Sequence, residues 1–96
     1  MRVYHVTDCE AAASIEASGF RDSTGHYLTD QEWSGVWVSN RPLNDRSGIP
    51  EAVAFEIEID HAAIADLEWV EDGRDYREWL IPARVLNAAP RRRIEL

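Results

Sequence analysis

The chain predicts an α+β domain: small mixed or antiparallel sheets around a central cleft, with two short helices. Two observations point there. Five or six short strand-like segments outnumber two helical ones, and the two kinds do not alternate regularly, which argues against a doubly wound α/β sheet. At 96 residues, 45% apolar and 29% charged, the composition is that of one small globular domain spanning 1–96.

The first strand is expected over Arg2 to Val6. Thr7 is then placed to cap a helix, with Glu10 completing a capping box. The helix runs through Ala11, Ala12, Ala13 and Ile15 and is stopped by Gly19, with Phe20 placed to fold back on Ile15. Arg21 to Ser34 is polar and reads as a loop with one turn near Thr29 to Trp33. Gly35 to Ser39 is a short apolar run that suits a buried strand.

Asn40 to Pro50 is rich in Pro, Asn and Gly and reads as a loop. From Ala52 to Ile59 the pattern alternates. Val53, Phe55, Ile57 and Ile59 share one face, and Glu56, Glu58, Ala52 and Ala54 the other. Asp60 caps a helix of about two turns, and Trp69 and Val70 read as a short strand before the turn at Gly73. Tyr76 to Ile81 is a strand ended by Pro82, Val85 to Asn87 a single turn, and Arg92 to Leu96 a final strand.

The charge balance narrows the partners. Eighteen acids against ten bases leave a net charge of −8, which disfavours general nucleic-acid binding. Arg91, Arg92 and Arg93 form one basic spot, read as a charged edge strand. No apolar run approaches the ~20 residues of a membrane span, and the first residues carry no export-type apolar stretch, so a soluble cytoplasmic protein is expected. The single cysteine, Cys9, excludes an internal disulfide and is expected to be structural or merely exposed, because no residue at nearby spacing looks like its general base. His5, His26 and His61 lack metal-motif spacing, so no metal site is expected.

Three residues carry candidate chemistry: His5 in a strand, Trp37 inside GVWVS, and Glu78 within an apolar strand between Tyr76 and Leu80 on its own face. Each also has a plain reading, as a packed histidine, a core tryptophan and an edge carboxylate.

Their order resembles the ADP-ribosyltransferase fold. YHVT on a first strand, a capped helix ending in GF, then GVWVS and YREWLIP, is similar to the branch with a His, an aromatic and a Glu on three strands. That branch includes poly(ADP-ribose) polymerases, DNA- and RNA-directed ADP-ribosyltransferases and tRNA 2′-phosphotransferases. The resemblance covers roughly residues 2 to 87, in short, degenerate motifs, with Trp where the family has Tyr. It implies NAD as substrate and no metal. His5 would bond a ribose hydroxyl of the adenosine half, the adjoining backbone would hold the nicotinamide amide, and Trp37 would stack on the nicotinamide ring. Glu78 would bind the 2′-hydroxyl of the nicotinamide ribose and oppose the cationic transition state. Thr7 and Ser39 would be secondary hydrogen-bonding groups. Tyr76 stands two residues before Glu78, so the arginine-modifying E-x-E pattern is missing. The implied activity is transfer of ADP-ribose to an unknown acceptor, or release of nicotinamide from NAD. Two alternatives stand beside it: a non-catalytic nucleotide- or partner-binding module, and a small acidic interaction or inhibitor protein.

Overall fold

A computed structural model describes residues 1–26, 31–42 and 52–96. The elements are β1 (Arg2–Thr7), α1 (Cys9–Ser18), β2 (Ser23–Gly25), β3 (Trp33–Ser39), β4 (Val53–Glu58), α2 (His61–Ile64) continued by a 3-10 turn (Ala65–Leu67), β5 (Glu78–Ile81), α3 (Ala83–Asn87) and β6 (Arg91–Glu95). The loop expected over Asn40 to Pro50 lies, from residue 43 on, outside the described residues, as does Thr29.

The described strands form one antiparallel six-stranded sheet in the order β2-β3-β1-β4-β6, with β5 also paired to β3. β1 and β4 register over six residue pairs, but β1 and β3 register only at Tyr4 with Ser39. The sheet is therefore close to divided there, into a β1-β4-β6 part and a β3-β5-β2 part. His5 lies beside that narrow join.

The core fills one face. Val3, Val36, Val38, Val53, Phe55, Ile57, Trp79 and Ile81 pack there with Ala12 and Ile15 of α1, Phe20, and Leu86 of α3. Phe20 sets its ring edge-on to both His5 and Phe55, at 5.6 and 5.7 Å between centroids.

Several boundaries differ from the sequence reading, each for a local reason. β1 continues through Thr7, which pairs with Val53, so the α1 cap falls one residue later: Asp8 Oδ1 accepts from Ala11 N at 2.7 Å. Gly19 ends α1 as expected, with φ of 84° and its N–H donated to Ile15 O. β2 arises within the expected loop, because its three residues take their conformation from pairing with Trp33 to Gly35. Ala54 is buried, though it lies on the glutamate face, because it pairs with Val6 on one side and Ile94 on the other. The single turn at Val85 to Asn87 is the end of a third described helix, α3. Trp69 meets the sheet through its N–H bond to Glu78 O, beside an isolated bridge between Glu68 and Trp79, and Val70 is exposed. β5 starts at Glu78, since Arg77 turns to Asn40: Arg77 N donates to Asn40 Oδ1 and Asn40 N to Arg77 O.

β6 is an edge strand, and its arginines are engaged. Arg92 pairs with Glu56, Arg93 with Glu16 and Glu95, and Arg91 lies over the Phe20 ring. That agrees with the charged-edge reading. Among the described residues no helix is long and apolar enough to cross a membrane.

Candidate functional site

Strand register decides which side chains can meet. Ser39 pairs with Glu78 and Trp37 with Leu80, so Trp37, Ser39, Glu78 and Leu80 share one face of the β3-β5 pair. Tyr4 pairs with Ser39 and Glu56 with Tyr4, extending that face across β1 and β4. Tyr4 donates its hydroxyl to Glu56 at 3.2 Å; burial, then the Glu56 carboxylate, raise its pKa.

His5 alternates to the core face, beside Phe20 and opposite Phe55. Its ring reaches back across the join, with Nδ1 at 2.8 Å from the Trp37 carbonyl. A carbonyl only accepts, so Nδ1 carries the proton and Nε2 is left as an acceptor in the neutral ring. Burial lowers the His5 pKa, and the bond to Trp37 O opposes that shift without cancelling it.

A pocket of about 330 Å3 opens at this join. His5, Val36 and the backbone of Trp37 line one side, and Ala11 and Ile15 of α1, with Phe20, the other. The segment after α1 is fixed by side chains far along the chain. Asn87 Oδ1 accepts from Phe20 N at 2.7 Å and Asn87 Nδ2 donates to Phe20 O at 3.0 Å. Asp22 Oδ1 accepts from Ala83 N at 2.7 Å. A Cβ at Gly19 would stand 2.8 Å from Asn87 Oδ1, so the backbone approach itself requires glycine.

Glu78 is half-buried on the neighbouring strand but is not among the residues lining that pocket. Its carboxylate is held by Arg74, which also pairs with Glu71 at 3.0 Å and lies over the Tyr76 ring. Ser39 is buried, and its hydroxyl serves backbone: it donates to Arg41 O at 2.7 Å and lies 3.5 Å from Tyr4 O. It therefore ties β3 to β1 at their one registered pair. Thr7 is half-buried at the end of β1.

The structure thus brings the His5 ring to the Trp37 backbone in one pocket, and the Trp37 and Glu78 side chains to the opposite face of adjoining strands. It does not bring all three into one lining. Asn87, Asp22, Arg74 and Trp69 escaped the sequence reading. The Asn87 and Asp22 contacts span more than sixty residues, and no local pattern encodes them. Arg74 stands four residues before Glu78, a spacing that reads as a turn until the turn brings it back.

Cys9 is exposed at the start of α1. Among the described residues no group of three His, Cys, Asp or Glu side chains could hold a metal ion. No protein-family model matches this chain, and no curated protein and no solved structure matches it.

Proposed function

We propose that this domain has the ADP-ribosyltransferase-like arrangement, binds NAD at the join of β1, β3 and α1, and transfers ADP-ribose from it. One observation carries the reading: His5 and the Trp37 backbone meet in one pocket at the join, and the Trp37 ring and Glu78 share the face on its other side. About 330 Å3 is at the small end for ligand clefts, enough for part of NAD, so the remainder would pass through the β1-β3 join to the face of Trp37 and Glu78.

The residue types suit the chemistry. The neutral His5 ring offers Nε2 to a ribose hydroxyl. The Trp37 ring, which lies through the join on the face of Glu78 and against Trp69, would supply a π-face for nicotinamide there. The bond from nicotinamide N1 to ribose C1′ breaks with its electron pair leaving on nicotinamide, which becomes neutral. The sugar is left cationic, and the acceptor's lone pair closes the new bond at C1′ while its proton passes to solvent. Water as acceptor gives free ADP-ribose. A positioned Glu78 carboxylate opposes the developing charge. Ser39 contributes through the strand join that it ties, and Thr7 supplies a hydroxyl at the end of β1.

Arg74 favours a second reading. A guanidinium seated on Glu78 cancels the field that the carboxylate would exert, so turnover requires Arg74 to move aside. Were it to stay, the domain would be a non-catalytic nucleotide-binding module.

Nicotinamide release from NAD tests both. Wild type is expected to release it, and Glu78→Gln to lose on the order of 10²–10³ in rate while retaining NAD affinity. NAD binding without release by wild type selects the module. Release unchanged by Glu78→Gln removes Glu78 from the chemistry, and absence of both binding and release overturns both readings.

A further inference from the structure

A second concavity, of about 210 Å3, lies beside the β3-β5 pair, on the face that carries Trp37 and Glu78. Trp33, Asp66, Leu67, Glu68, Trp69 and Leu80 are among its lining residues. The Trp33 and Trp69 rings stand 5.5 Å apart at 85°, so two aromatic planes meet as the walls of a corner. Trp69 is held from several sides. The Trp37 ring meets it at 5.3 Å, its Nε1–H donates to Glu71 at 3.0 Å, and its backbone N–H donates to Glu78 O at 2.8 Å. The wall is therefore formed before any ligand arrives. Trp33 is 37% exposed, which leaves the corner open to solvent.

The charge at this corner is negative. Two carboxylates, Asp66 and Glu68, line it, and no arginine or histidine does among the described residues. Glu68 is already shared with Arg77, at 2.6 and 3.0 Å, whereas Asp66 lies exposed in the 3-10 turn. An anion or a nucleic-acid phosphate would meet like charge here. A neutral apolar ligand would strip water from the carboxylates and return nothing. A bulky organic cation satisfies both parts, since indole faces attract cations and the carboxylates complement them.

We infer that the Trp33–Trp69 corner, with Asp66, is a binding site for an alkylated ammonium group. Its source is either a free quaternary ammonium compound or a methylated lysine side chain.

Tryptophan fluorescence titrations test it with three probes: choline, a peptide containing trimethyl-lysine, and 3,3-dimethylbutan-1-ol, the neutral isostere of choline. Saturable binding of at least one cation is expected, with the alcohol at least about tenfold weaker than choline. Tighter binding of the peptide than of choline identifies a protein side chain as the source, and the reverse order a small molecule. Trp33→Ala, at an exposed position, and Asp66→Asn are each expected to weaken the cation about fivefold to thirtyfold, with an unchanged thermal melt. Absence of saturable binding by either cation overturns the inference. So does equal binding of the alcohol and choline, or an affinity indifferent to both substitutions.

Discussion

The two faces of the sheet differ in what they ask of their side chains. On one, Val3, Val38, Phe55, Ile57, Trp79 and Ile81 are covered by α1, Phe20 and α3, and shape and volume decide everything. On the other, Trp37, Ser39, Glu78, Tyr4 and Glu56 stand in register across four strands; the polar ones are hydrogen-bonded to one another, to backbone or to arginine, and the Trp37 ring meets Trp69. The same strands supply both sets, one residue out of phase. Alternation thus separates stability from candidate chemistry within a single segment such as Val36 to Ser39. His5 is the exception, a polar ring on the core face that reaches back through the join to Trp37.

Paired tryptophan substitutions probe that division most strongly. Trp79 is 0% exposed, and Trp79→Ala is expected to cost about 3–5 kcal/mol in urea unfolding. Trp37 is half-buried on the other face, and Trp37→Ala is expected to cost less than half as much. Equal losses would dissolve the distinction between the faces.

Gly35→Ala examines the boundary between β2 and β5. A Cβ there would stand 2.9 Å from Leu80 Cγ and 3.1 Å from Ile81 O, and the second of these is backbone that cannot swing away. A loss of about 1–3 kcal/mol is expected, as for overpacking. A neutral result in the same unfolding measurement would mean that β3 and β5 separate easily.

The smallest effect concerns His5. Its folded pKa lies below the ordinary 6.5, so the unfolded chain takes up the proton first as pH falls. The stability due to the neutral ring is complete above 6.5 and is lost as pH falls through the folded value. The melting temperature of wild type should therefore fall more steeply with acid than that of His5→Gln, starting near pH 6.5. Parallel curves would mean that His5 titrates freely in the fold.

Local signals in the sequence were enough for α1, its Gly19 stop, the buried phase of β4 and the Asp60 cap, where Oδ1 accepts from Ala62 N. Each depends on neighbours within a few residues. The strand carrying His5 and the cores of those carrying Trp37 and Glu78 were legible for the same reason, as apolar runs with clear ends. What was not legible comes from distant pairing. Ser23 to Gly25 becomes a strand only because Trp33 to Gly35 lies alongside. The phase of His5 relative to Trp37 depends on the Tyr4–Ser39 register, and the pocket wall depends on Asn87. The Arg74 contact that covers Glu78 required the turn at Gly73, whose φ is 83°.

A calorimetric titration of NAD into wild type and Trp37→Ala tests the central claim most directly. Saturable binding by wild type is expected, weakened by Trp37→Ala about tenfold, in line with roughly 1–3 kcal/mol for a base stacked on an aromatic ring. No saturable heat with wild type, or an affinity unchanged by Trp37→Ala, would contradict the placement of NAD at the β1-β3 join.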